Sequence, residues 1–155
     1  MNLSQAEKDK LVSVLELLRA RGIKYKMGAE SIGNNPFTLN MKLDEIKELD
    51  CSEMVEWVFW NVFKLKVPDG SYNQFPICVP VADGDEQAGD LVFRKNNNTV
   101  GAISHVGIYI GSGNVIECMG GVGVIKRAYD QFKQPSARTL FAGIRRIDLS
   151  KFSGY

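Results

Sequence analysis

At 155 residues, with 45% hydrophobic and 24% charged side chains, the chain has the size and composition of one folded domain and lies outside the regime of disordered chains. Nineteen Lys and Arg against eighteen Asp and Glu leave a formal net charge of +1, so no global charge directs it to nucleic acid or an anionic membrane. The opening MNLSQAEKDK lacks the apolar stretch of a secretory leader, and no run approaches the roughly 18 apolar residues of a membrane span; the expectation is a chain made in a cytoplasm, without membrane insertion.

Ser4 followed by Glu7 reads as a capping box, and Leu11, Val14, Leu15 and Leu18 recur at helical spacing until Gly22, which predicts a first helix over 4–21. Residues 24–49, punctuated by Gly28, Gly33, Asn34, Asn35 and Pro36, read as loop with a short helix near 43–49. From 50 to 63 the stripe Met54, Val55, Val58, Phe59 and Val62 predicts a second, more buried helix, with Trp57 and Trp60 on it as packing residues. Turns follow at Pro68–Gly70 and Gln87–Gly89. Then come short β-rich runs at 91–93, 105–111, 114–118, 121–127 and 141–147, with Asn96–Asn98 as a hairpin turn. Helices first and strands afterwards predict an α+β fold, N-terminal helices packed on a central antiparallel sheet, as a single domain over 1–155.

Cys51, Cys78 and Cys118 are odd in number and widely spaced, which favours reduced thiols over a disulfide framework. With the sole histidine, His105, they make four formal zinc ligands, but no C-x-x-C or H-x-x-x-H pairing accompanies them; no metal and no cofactor are expected. Asp83-Gly84-Asp85-Glu86 lacks the spacing of a calcium loop and reads as a solvated turn, and Arg138, Arg145 and Arg146 read as a solvated basic face.

Cys51 falls in the first turn of the second helix, where the dipole and unpaired N–H groups favour a thiolate; the plainer reading is a buried cysteine behind Asp50 as N-cap. His105 opens a strongly alternating strand, so a helix-borne thiol could face a strand-borne base, as Cys–His hydrolases require. Glu117 sits on the next strand in the apolar context VIEC, where a buried carboxylate needs a partner. It either orients His105 or faces solvent.

At these residues the sequence resembles the NlpC-type cysteine peptidases, which hydrolyse peptidoglycan peptides on a papain-like fold. LDCSEMVEWVF at 49–59 is similar to their nucleophile helix, AGDLVF at 88–93 to a strand entry, ISHVGIYIGSGNVIEC at 103–118 to the histidine hairpin, and GIKYKMGA at 22–29 to a Tyr-x-x-Gly segment. The resemblance covers roughly residues 5–147. It implies catalytic Cys51, His105 and Glu117, substrate binding by Tyr25, Asp50 and Ser52, and a peptidoglycan peptide as substrate, with no nucleic acid partner. Two positions depart from the family pattern: Glu53 in place of a glycine, which places bulk and charge near the cleft, and Glu117 in place of histidine, asparagine or glutamine. The family's amides at the third position lead to the expectation that Glu117→Gln is mild.

A wall hydrolase without a leader suits a phage lysin or a tail-associated enzyme, with phage tail or lysis-system proteins as partners and action on the wall after release or virion delivery. The alternatives are an intracellular peptidase recycling wall peptides, a catalytically silent structural or tail-assembly protein, and a cysteine acyltransferase.

Overall fold

The structure is a computed structural model that describes residues 1–28 and 38–151. Of the segment expected to be loop, Gly33, Asn34, Asn35 and Pro36 lie outside the described residues, as does Ala29 of the upstream tyrosine motif.

Helix α1 runs Gln5–Ala20. Ser4 Oγ accepts from the Glu7 N–H while the Glu7 carboxylate accepts from the Ser4 N–H, so both ends of the capping box are made. Leu11, Leu15 and Leu18 turn fully inward. Helix α2 runs Cys51–Phe63, capped by Asp50 and ended by Lys64 in the left-handed region at φ 54. Met54, Val55, Val58 and Phe59 bury against the sheet, and each such side chain contributes roughly 1.5–3 kcal/mol. The indole N–H groups of Trp57 and Trp60 donate to Met41 O and Asn40 Oδ1, packing roles in keeping with the sequence.

Two short strands, β1 (Lys24–Tyr25) and β2 (Glu48–Leu49), pair in parallel between the helices. After α2 come α3 (Ser71–Gln74), β3 (Cys78–Pro80), β4 (Leu91–Asn96), β5 (Ile103–Gly111), β6 (Asn114–Met119), β7 (Gly123–Ala128), α4 (Tyr129–Phe132) and β8 (Thr139–Ile147). The last six strands form an antiparallel sheet in the order β3-β8-β4-β5-β6-β7. The fold is α+β, as the order of elements predicts. The anticipated short helix near 43–49 is one 3₁₀ turn, Leu43–Glu45, and the rest of that stretch leads into β2.

Alternation divides the sheet. Leu91, Phe93, Val106, Ile108, Ile116, Cys118 and Val124 face α1 and α2; Val92, Tyr109, Val115 and Ile144 face α4. With four residues, α4 has no intrinsic stability. It is held by burial of Tyr129 and Phe132, whose rings stack edge-on against Tyr109 and Phe141. Among the described residues no helix is long and apolar enough to cross a membrane.

Candidate active site

The N-terminus of α2 is built from its own sequence. Asp50 Oδ1 accepts from the Glu53 N–H at 2.8 Å and from Ser52 Oγ at 2.9 Å, while Glu53 Oε1 accepts from the Asp50 N–H at 2.7 Å. Glu53 is therefore the returning half of a capping box. It is fully buried and does not occupy the cleft, contrary to the expectation of bulk and charge there. Asp50 Oδ2 accepts from the Gly28 N–H at 3.2 Å, which ties the segment after β1 to this helix end. Burial raises the Asp50 pKa, and the Ser52 and Gly28 hydrogen bonds offset part of that rise. Cys51, 8% exposed, occupies the first turn, where helix N–H groups have no intrahelical acceptor.

Opposite it, His105, Glu117 and Arg127 come from three adjacent strands. Gly107 on β5 pairs with Glu117 on β6, and Val115 pairs with Arg127 on β7, so the three side chains lie diagonally on one face. His105 Nε2 bonds Glu117 Oε1 at 2.8 Å. Arg127 grips the same carboxylate through Nε to Oε2 at 2.5 Å and Nη2 to Oε1 at 3.2 Å. Gly107 provides the room: a Cβ there would meet Glu117 Cβ and Val115 Cγ1, each at 3.1 Å. Glu117 thus faces its partners and not solvent; its side chain is 1% exposed.

With Nε2 engaged by Glu117, Nδ1 is the ring nitrogen left to face Cys51, whose side chain is near enough to act on the imidazole's titration. Burial alone would depress the imidazole's pKa, but the hydrogen bonds and charges of Cys51 and Glu117 outweigh it and push it up to about 9. Burial likewise disfavours the Glu117 carboxylate, yet His105 and Arg127 hold its pKa below the ordinary glutamate value. The other thiols differ. Cys78 and Cys118 donate to the carbonyls of Gln74 and Leu49, and burial pushes both up to about 12.

Tyr25, on β1, lies beside this centre. Burial, then the charges of Cys51 and Asp50, raise its phenol to about 12. It lines a cleft of about 650 Å³ that also takes in His105, Glu117, Arg127 and Arg138. The sequence reading brought Tyr25, Asp50, Cys51, Ser52, His105 and Glu117 to one place, and the structure does the same. It missed Arg127, whose cue is the strand alternation that sets it two residues beyond the position opposite Glu117. The basic face proposed for three arginines dissolves: Arg145 stacks on Phe75 and donates to Cys78 O, Arg146 forks onto Asp90, and only Arg138 reaches the cleft. No group of three or more His, Cys, Asp or Glu side chains able to hold a metal ion occurs among the described residues.

Comparisons with known proteins give the chain its relatives. The chain is 32% identical over 100 residues to the Bacillus subtilis bifunctional muramidase/DL-endopeptidase CwlT, covering 64% of this chain and 26% of that protein. It is 30% identical over 99 residues to the gamma-DL-glutamyl hydrolase of the same organism, covering 64% and 23%. The match thus spans about a quarter of the length of these relatives. Among solved structures, a Bacillus cereus NlpC/P60 family protein superposes with a TM-score of 0.69 at 23% identity, over 90% of this chain and 40% of that one. RipD from Mycobacterium tuberculosis, described as a non-catalytic NlpC/p60 domain protein, superposes with a TM-score of 0.61 at 17% identity, over 94% and 100%. The NlpC/P60 family profile matches residues 22–143, and with the site geometry and these relatives it follows that the chain belongs to the NlpC/P60 family.

Proposed function

We propose that the chain is a cysteine peptidase that hydrolyses an amide bond in peptidoglycan stem peptides, with Cys51 as nucleophile and His105 as its base. The observation that carries this is the hydrogen-bonded set His105–Glu117–Arg127, with Cys51 in the first turn of a buried helix and near enough to act on the His105 imidazole. Relatives that are named endopeptidases and hydrolases support the substrate class.

In this mechanism Cys51 Sγ attacks the amide carbonyl and its proton resides on His105 Nδ1. The carbonyl oxygen, now negative, meets the N–H groups of the α2 N-terminus, among them that of Cys51. Losing one such donor typically costs about 100–1000-fold in rate. His105 then gives its proton to the departing amine, the C–N bond breaks, and a thioester remains on Cys51. Water, deprotonated by the same imidazole, attacks the thioester, which releases the carboxylate and restores the thiol. Glu117 keeps Nε2 engaged so that Nδ1 faces the sulfur. Tyr25, Asp50 and Ser52 border the nucleophile and hold the substrate; Asp50 Oδ2 is the carboxylate oxygen not engaged in capping α2.

The test is incubation with defined peptidoglycan, with products identified by mass spectrometry, alongside iodoacetamide mapping near neutral pH. Cys51 should alkylate well ahead of Cys78 and Cys118, and Cys51→Ala should abolish product without unfolding the chain. No cleavage by a folded protein whose Cys51 labels no faster than the buried thiols would place it with RipD as a non-catalytic member.

A further inference from the structure

The cleft beside His105 carries a charge imbalance that the chemistry above does not use. Three arginines line it, Arg94, Arg127 and Arg138, and Glu117 is its only acidic lining residue. Arg94 is buried, yet among the described residues it donates to neutral oxygens, Thr139 Oγ1 and the carbonyls of Phe132, Gln134 and Thr139. Its charge is held but not neutralised. The Arg94 and Arg127 guanidiniums lie over the Phe132 ring, 5.7 and 5.1 Å from its centroid, and the His105 ring stacks on it at 6.1 Å. An aromatic face attracts each cation but carries no net charge, so the one Glu117 carboxylate is left to balance Arg94, Arg127 and the imidazole together, and a second anion would relieve their mutual repulsion. Arg138, exposed at the rim, has no acidic partner among the described residues. Its backbone is fixed all the same: the Asn97 N–H donates to Arg138 O, and the Ser136–Thr139 turn closes on itself.

The geometry points to a carboxylate-binding subsite in this cleft, with Arg138 as the principal donor, Arg94 and Arg127 supplying the field, and the leaving half of the substrate as the ligand. This rests on the peptidase reading, in which His105 protonates the departing amine, and His105 itself lines the cleft. The substrate class narrows to peptides whose departing residue carries a free carboxylate. Arg is suited to the role by its planar pair of donors, and a site built for such a group rejects the form lacking it.

The experiment uses two probes, γ-D-glutamyl-L-lysine with its C-terminal carboxylate free and the same dipeptide as the C-terminal amide. Binding is titrated calorimetrically to the Cys51→Ala protein, and hydrolysis is followed with the wild type. The carboxylate should bind about tenfold more tightly at low salt, and the preference should shrink toward unity in Arg138→Gln, return in part in Arg138→Lys, and weaken with added salt. Equal affinity for the two probes, or none for either, overturns the subsite. Hydrolysis of both with equal KM also overturns it while leaving the peptidase reading intact. Carboxylate-selective binding with neither probe cleaved at any concentration sustains the subsite and counts against the peptidase reading.

Discussion

Glu117 answers to two cations with one carboxylate. Oε1 accepts from His105 Nε2 and Arg127 Nη2, and Oε2 accepts from Arg127 Nε. An amide has only one acceptor oxygen, so in Glu117→Gln an NH₂ group must meet either the Arg127 fork or the imidazole N–H, donor against donor. The Arg127 fork therefore leads, for stability, to an expectation opposite to the mild outcome implied by the family amides. Glu117→Gln should lose about 1–3 kcal/mol of stability in urea unfolding, the cost of leaving buried donors unpaired, and Arg127→Met in the same background should restore part of it. A Glu117→Gln protein as stable as the wild type would show that Arg127 does not depend on the carboxylate. His105 yields a second expectation. Its imidazolium persists to about pH 9, so kcat/KM should fall as pH rises through about 9, where the proton for the departing amine is lost. In Glu117→Ala, with that carboxylate removed, the basic limb should move to lower pH. An unmoved limb would assign the titration to another group.

At the scale of elements, the pairing of β5 and β6 is what brings His105 to Glu117, and Gly107, opposite Glu117, leaves the room for it. A methyl at Gly107 would press on the Glu117 and Val115 side chains at 3.1 Å and on Ile116 O at 3.3 Å. Glu117 is pinned by two partners and Val115 is fully buried, so neither yields freely. Gly107→Ala should therefore lower kcat on the order of 10-fold or more, within the range of disturbed base geometry, while the far-ultraviolet circular dichroism stays as in the wild type. Unchanged kcat would mean that the β5–β6 ladder absorbs the methyl. The long elements were readable from the chain. The helical stripes and the alternation of 105–118 repeat a period often enough to be recognised, and the Ser4 capping box and the Asp50 cap are local signals. The Glu53 half of the Asp50 box, by contrast, reads in the sequence as a cleft residue. What escaped were β1, β2, β3, α3 and α4, at two to four residues each, too short to show any period. Tertiary contacts define them: β1 through the Val124 N–H donating to Ile23 O, and α4 through Phe132. Arg127 escaped for a related reason, since its partner is chosen by register and not by sequence neighbourhood.

For the molecule as a whole, the same charges shape stability against pH. The folded Glu117 pKa lies below 4.5, so its contribution is present above that value and is lost as pH falls through the folded pKa. The folded His105 pKa, raised from 6.5 to about 9, contributes fully below 6.5 and is lost as pH rises through about 9. Cys78 and Cys118 act in the same sense further up, because the unfolded thiols ionise near 9 and the buried ones only near 12. Urea unfolding as a function of pH should therefore show a plateau between roughly 4.5 and 6.5, a fall on the acid side and a longer fall on the alkaline side. Stability still rising between pH 7 and 9 would contradict the paired imidazolium. The strand order carries one more consequence, in time and not in space. Glu117 is 12 residues from His105 and 10 from Arg127, within two successive hairpins, whereas the contact that joins Cys118 on β6 to Leu49 on β2, just ahead of α2, spans 69 residues. Hairpins close in about 1–10 μs, and wider loops meet a larger entropic barrier. During refolding His105 and its supports can thus assemble before Cys51 docks beside them. A partly folded chain can in this way hold the imidazole cluster while the helix that bears the sulfur is still undocked, and the two meet only in the finished molecule.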